Sequence, residues 1–164
     1  MQMPPGIPVL SVGVGKVDMA VKNAVKLLKH YLSVNLISRT PNDAIKKAKE
    51  IFSEFEITPK ESESYDNYSI NIEFVSLDEN IPEKEQLVIY CPLSMKDDDK
   101  AEAALNVLKH SKHGLWVGLN NGRNAALAAI EIMNINEKYT LKLNRYRETL
   151  KDKVKDSDKK VTSA

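Results

Sequence analysis

The chain has 164 residues, with 24 basic and 23 acidic side chains and a formal net charge of +1. This length fits one domain with a sizeable hydrophobic core. Because the charges balance, no long-range field attracts nucleic acid or an anionic membrane surface, and neither is expected as a partner. No apolar stretch approaches the length that a membrane span requires.

Cysteine usage points to a reducing compartment. The single cysteine, Cys91, cannot form an internal disulfide, and residues 1–6 lack the basic and apolar regions of a signal peptide. The cytoplasm is therefore the expected location. Cys91 lies in an apolar run with no histidine close in sequence, so we expect a small buried hydrophobic residue and not a nucleophile.

The first half of the chain predicts alternating strands and helices. Residues 8–14 form a β-branched run typical of a buried strand, and residues 17–32 place apolar residues at helical spacing opposite three lysines. Residues 34–37 predict a second strand. Pro41 suits the first turn of a helix ending near Glu56. This helix is expected to bury one apolar face: Ala44, Ile45, Ala48, Ile51, Phe52 and Phe55.

The second half continues the alternation after a polar segment, 57–66, that predicts a solvated loop. Residues 68–74 alternate apolar and polar side chains, which predicts a strand at a sheet edge, whereas the apolar residues 87–91 predict a central strand. Further elements are a helix capped by acidic residues 97–99, with Ala101, Ala104, Leu105 and Leu108 as apolar residues, then a strand at 114–119 and a helix at 124–133. Strands alternating with helices predict a three-layer, mainly parallel, flavodoxin-like α/β fold.

The last predicted helix, residues 136–155, differs from the others. Its apolar residues form a narrow stripe on a highly charged rod: Tyr139, Leu143, Tyr146, Leu150 and Val154. A stripe this thin is typical of contact with a partner helix, so we expect an interface with a neighbouring subunit. Packing on the chain's own domain is the alternative. Residues 156–164 are polar and predict a disordered tail.

Several short sequence segments resemble motifs of one enzyme family. Aligning Gly13 with Gly118 superposes two strand–turn–helix units, a weak signal by itself. Residues 2–9, Gln-Met-Pro-Pro-Gly-Ile-Pro-Val, resemble a phrase of the PurE family, the carboxyaminoimidazole ribonucleotide mutases and phosphoribosylaminoimidazole carboxylases. Residues 122–132 resemble the closing helix of that family, and residues 146–148 with the basic helix after them resemble its C-terminal extension. Residues 38–41 resemble part of its Ser-Ala-His-Arg-Thr-Pro loop. The resemblance covers both ends and the second strand, and it marks residues 1–155 as a PurE-like domain.

The resemblance implies a role in de novo purine synthesis, where the family moves a carboxylate on a phosphoribosyl imidazole. It also implies PurE-like subunits as partners, in a homo-oligomer or with an active copy, because family members form ring-like octamers. No cofactor or metal is implied. In the family the phrase at residues 2–9 precedes the last strand, which suggests that this chain is the second copy of a tandem protein.

The residues that the family's chemistry needs are mostly replaced here. The family loop Gly-Ser-x-Ser-Asp corresponds to residues 13–17, which lack both hydroxyls and the carboxylate, and the catalytic histidine corresponds to Ser38. Residues 76–86 lack the glycines and the histidine of a third loop. A phosphate could still be held by the remaining polar groups of two loops, namely Gly15, Lys16, Ser38, Arg39 and Thr40. Arg39 could equally pair with a carboxylate of its own fold.

Three histidines are present, at His30, His110 and His113. All three fall near predicted helix ends, where a cation is favoured by the helix dipole, so structural roles are expected. No catalytic residue and no metal site is predicted. The favoured interpretation is a degenerate PurE-like domain with a structural or regulatory role. The alternatives are an active enzyme with sites completed across subunits, and a binding module for a phosphoribosyl compound.

Overall fold

The computed structural model describes residues 32–78, 80–94 and 99–162. These ranges contain five parallel strands: β1 (Val34–Ser38), β2 (Lys60–Glu61), β3 (Ile70–Ser76), β4 (Val88–Leu93) and β5 (Leu115–Trp116). They also contain four α-helices: α1 (Asp43–Glu54), α2 (Lys100–His110), α3 (Gly122–Met133) and α4 (Thr140–Thr162). The strand order is β2-β1-β3-β4-β5, and with its helices the sheet forms the predicted three-layer, flavodoxin-like fold. The predicted strand 8–14 and helix 17–32 lie outside the described residues, apart from Leu32 at the helix end.

One face of the sheet carries the main hydrophobic core. Helices α1 and α3 pack together over this face, which consists of alternate residues of β1, β3 and β4. The predicted apolar face of α1 is confirmed, with Ile45 half-buried and its other five members buried. The helix begins at Asp43, so Pro41 precedes it and does not lie in its first turn as predicted. Asn42 is the N-cap, and its side chain accepts a hydrogen bond from the Ile45 amide at 2.8 Å.

The approach of α3 to α1 depends on a glycine. Gly122 begins α3 and lies directly against the backbone carbonyl of Ala44 in α1, so close that a Cβ at this position would overlap the carbonyl oxygen. Small residues continue this contact along α3, where Ala125, Ala126 and Ala129 are fully buried. The predicted helix at 124–133 is confirmed and begins two residues earlier, at Gly122, where its first turn contacts α1.

The prediction that residues 68–74 form an edge strand is wrong. Strand β3 lies at the centre of the sheet, paired along its length with β1 and β4. Its alternate polar residues, Asn71 and Glu73, are buried rather than exposed to water. The alternation therefore reflects two buried faces of β3, of which one is apolar and the other carries Asn71 and Glu73 beside Val75. The polar side chains are satisfied by hydrogen bonds instead of solvent.

A hydrogen-bond network on this second face holds the β2–β3 loop to the sheet. Asn35 donates to the Asn71 side-chain oxygen at 2.9 Å, and Ser62 donates to the Asn35 oxygen at 3.0 Å. Asn71 also donates to the Asp66 carbonyl and accepts from the Asp66 amide, both at 2.9 Å. The segment predicted as a solvated loop is thus partly tied down, and it contributes the short exposed edge strand β2, which pairs with Asn35 and Leu36.

Helix α2 leaves exposed the apolar residues that the sequence places at helical spacing. Leu105 and Leu108 are 58% and 72% exposed, and Ala101 and Ala104 are exposed too. The buried residue of α2 is Ala103. Helical spacing identified a stripe of apolar residues here, but in the described structure that stripe does not face the sheet. The acidic cap is confirmed for Asp99, whose carboxylate accepts from the Ala101 amide at 2.8 Å; residues 97–98 lie outside the described part.

The stripe on α4 packs on the chain's own core at its start. Tyr139 and Leu143 are buried, and Tyr146 lies beside the Phe55 ring, with ring centroids 6.3 Å apart. These three residues therefore follow the alternative given above, in which the stripe packs on the chain's own domain. The surface that the stripe offers to a neighbour is that of Leu150 and Val154, which are 41% and 61% exposed.

Helix α4 is also longer than predicted. It continues to Thr162, so residues 156–162, which were predicted to be a disordered tail, are helical. An ion pair one turn apart, between Lys159 and Asp156, accompanies the extension. Of the helices in the described ranges, none combines the length and the apolar character needed to cross a membrane.

Candidate functional site

A cleft of about 580 Å³ opens at the carboxyl ends of β1, β3 and β4. It lies beside the switch point of the sheet, where the chain leaves β1 toward one edge and β3 toward the other; parallel α/β sheets bind ligands at this place. The lining comes from the segments after the three strands and from the first turns of α2: Arg39, Thr40, Glu73, Phe74, Val75, Ser76, Leu77, Asp78, Leu93, Ser94, Asp99, Glu102, Ala103 and Asn106. We take this cleft as the candidate site.

Two of the predicted phosphate-binding residues reach the cleft. Arg39 and Thr40 follow β1 and line it, whereas Gly15 and Lys16 lie outside the described residues. The Ser38 hydroxyl is used locally: it donates to the Thr40 carbonyl at 2.7 Å and accepts from the Asn42 amide group at 3.0 Å. Ser38 therefore supports the cap of α1 and does not offer its hydrogen to a ligand.

Carboxylates dominate the described charge of the cleft. Glu73, Asp78, Asp99 and Glu102 face the same space as Arg39, which is the basic residue among the described lining. Like charges concentrated in a cleft focus a negative field, which repels an anion such as a phosphate. The electrostatics of the described lining thus oppose the binding predicted from the two loops.

Glu73 is the most buried of these carboxylates and has a specific partner. The Tyr65 hydroxyl donates to Glu73 Oε2 at 2.7 Å. Burial raises the pKa of Tyr65 above its usual value, and the hydrogen bond to Glu73 raises it further. The charge of Arg39 acts on the same phenol in the opposite direction. Tyr65 therefore stays protonated and remains a hydrogen-bond donor to Glu73.

No histidine belongs to the described lining of the cleft. His110 ends α2, in the predicted position at a helix terminus. His113 precedes β5 at the opposite end of that strand from the cleft, with its ring 5.8 Å from the Tyr90 ring, and both its ring nitrogens are buried without a hydrogen-bond partner among the described residues. His30 lies outside the described part. The two described histidines, of the residue type that most often transfers protons near neutral pH, thus lie away from the cleft.

Cys91 has the predicted structural role. It is a free thiol buried in the main core beneath α3, and burial raises its pKa to about 12. A thiol in this environment is neutral at physiological pH and is a poor nucleophile. Across the described ranges, no group of three or more potential ligand side chains is arranged to hold a metal ion.

The residues that β3 and α2 contribute to the cleft could not be predicted from the sequence, because their positions depend on which strands are neighbours in the sheet. Glu73 was expected on the wet face of an edge strand, and Glu102 had no predicted role. A sequence signal existed for β3: asparagine is depleted inside strands, so Asn71 between two isoleucines indicated a specific buried partner.

No protein-family model matches this chain, and no curated protein matches it.

Proposed function

We propose that this chain is a PurE-like domain that takes part in the aminoimidazole ribonucleotide carboxylation step as a structural or regulatory partner, without catalysing it. Its partners are PurE-like subunits, either copies of itself or an active relative, and its location is the cytoplasm. The phrases at both ends of the sequence motivate the family, and a flavodoxin-like sheet with an added C-terminal helix is compatible with it.

The observation that carries the noncatalytic role is the described lining of the cleft. It combines four carboxylates with one arginine and has no histidine. Transfer of a carboxylate between nitrogen and carbon of an imidazole requires a proton donor and acceptor beside the ring, and the sugar phosphate requires a cradle of donors. The described lining supports neither requirement well. The same charge pattern disfavours a stand-alone binding module for a phosphoribosyl compound.

The first test is an activity assay. Purified full chain is mixed with carboxyaminoimidazole ribonucleotide, and separately with aminoimidazole ribonucleotide and bicarbonate, and product is followed over time. We expect no turnover above the uncatalysed rate, while an active family member assayed in parallel gives full activity. Robust turnover by the chain alone would refute the proposal and favour sites completed across subunits.

A further inference from the structure

The net charge of the chain is small, but acidic and basic side chains are concentrated in different segments of the sequence. Residues 61–85 carry eight acidic side chains and one basic side chain, whereas residues 138–160 carry nine basic and four acidic side chains. The acidic segment includes the β3–β4 connection, and the basic segment includes α4. Complementary patches on one molecule favour association between copies, because each copy presents both.

The basic segment borders a groove of about 420 Å³ between α1 and α4, which we call the α1–α4 groove. Its apolar lining is Ile51 of α1, Phe55 directly after α1, and Tyr146 and Leu150 of α4. Leu150 is 41% exposed, so the groove has apolar surface that a partner could cover.

Two cations on the rim of this groove have no ion-pair partner among the described residues. Arg123 and Lys142 form ion pairs with Glu50 and Glu56, at 3.6 and 3.0 Å. Arg145 and Lys153 make no ion pair with any described residue. Glu54 is the acidic residue of the lining and offsets part of this charge. The rim near Arg145 and Lys153 is therefore the part of the groove that attracts an acidic partner most strongly.

The acidic segment offers a suitable surface in residues 80–86, which we call the acidic loop. It has no helix or strand, and Glu83 and Glu85 are exposed and make no ion pair with any described residue. Pro82 is exposed between Ile81 and Glu83, and it provides an apolar contact next to the carboxylates. Ile81 packs against the second face of the sheet, near Tyr90, whereas the groove belongs to the first face. A chain thus cannot fill its own groove with its own acidic loop.

We propose that the acidic loop of one copy docks in the α1–α4 groove of a second copy. Glu83 and Glu85 pair with Arg145 and Lys153, and Pro82 covers Leu150. The helix α4 of a second copy is a poor occupant, because it carries the same charge as the groove. Since the two surfaces differ, the contact is head-to-tail and generates a ring or a chain of copies. This inference rests on the assembly role proposed above.

A charge exchange tests the pairing directly. Two full-length double variants are prepared, R145E/K153E and E83K/E85K, and their masses are measured by sedimentation across a concentration series at low salt. We expect the unmodified chain to associate and each variant alone to lose about tenfold or more in affinity, because its two surfaces then repel. An equimolar mixture of the variants is expected to associate again, since each groove then meets a loop of opposite charge.

The matched control is K46E/K47E, which makes the same charge change at exposed positions on α1 outside the groove, and it is expected to associate like the unmodified chain. Circular dichroism verifies that all variants fold. An unmodified chain that stays monomeric, or a mixture that fails to reassemble, would overturn the inference. The activity assay on the unmodified chain is independent, so failure of this docking mode leaves the noncatalytic proposal separately testable.

Discussion

Replacing Gly122 with alanine is expected to destabilise the domain by about 3 kcal/mol. Overpacking a well-packed contact typically costs about 1–3 kcal/mol, and this contact is between two backbones. The added Cβ would overlap the backbone carbonyl of Ala44, and neither backbone can move without separating α3 from α1. These two helices cover the main core together, so the strain spreads to Ala48, Ala125 and Ala129. A drop of roughly 10 °C in the unfolding midpoint, measured by calorimetry or circular dichroism, is the expected result.

Gly118 provides the matched control for this substitution. An alanine Cβ at Gly118 meets its nearest neighbour, Asn121 Cβ, at 3.9 Å, which is ordinary van der Waals contact. The Gly118→Ala variant is therefore expected to unfold within about 1 kcal/mol of the unmodified chain. Equal effects of the two substitutions would mean that α3 does not approach α1 as described.

The second large effect is expected from Asn71→Ala. The Asn71 side chain is fully buried at the centre of the sheet and satisfies both the amide and the carbonyl of Asp66. Alanine leaves these half-buried groups and the fully buried Asn35 side-chain amide without this partner. An unsatisfied buried group costs about 1–3 kcal/mol. We expect a loss of about 3 kcal/mol in the free energy of unfolding, measured by urea denaturation, and release of the β2–β3 loop to proteolysis.

Asn67 is the control for this prediction because it lies four residues earlier and is exposed. Its side-chain oxygen accepts from Gln86 at 2.8 Å on the surface, where water can replace the bond. Asn67→Ala is expected to change stability by no more than about 0.5 kcal/mol. A stability of Asn71→Ala close to that of Asn67→Ala would contradict the role of the buried network.

Apolar runs made β1, α1, β4 and α3 predictable. Residues such as Leu36, Phe52 and Ile89 lie in apolar patterns typical of a buried strand or helix, and the structure buries them. The position of β3 was not predictable in this way. A period of two shows which residues share a face of the strand, but it does not show whether that face is exposed. Asn71 and Glu73 are buried because Asp66 and Tyr65, in the β2–β3 loop, hydrogen-bond to them.

The helices α2 and α4 illustrate a second limit. Spacing alone places Leu105 and Leu108 on one side of α2, but it does not determine whether that side meets the sheet. On α4 the stripe divides between the chain's own core, at Tyr139 and Leu143, and exposed surface, at Leu150 and Val154. That division depends on where α1 ends and on how far α4 continues beyond it, and both are tertiary properties.

The candidate site was predictable only in the residues that follow β1. Arg39 and Thr40 directly follow a predicted parallel strand, and the carboxyl end of such a strand is where a ligand cleft forms. Glu73 and Glu102 come from β3 and α2, which approach Arg39 because of the strand order. The negative character of the cleft is thus a result of topology, not of any one motif.

The noncatalytic role rests on the cleft being unable to hold a phosphoribosyl compound, and the most direct measurement of this is a calorimetric titration of the full chain with aminoimidazole ribonucleotide. We expect no saturable heat of binding up to a ligand concentration of about 1 mM, where even weak specific sites fill. The carboxylates around Arg39 and the occupied Ser38 hydroxyl are the reasons. Saturable one-to-one binding that is lost in Arg39→Ala would contradict the account and identify the cleft as a working phosphoribosyl site.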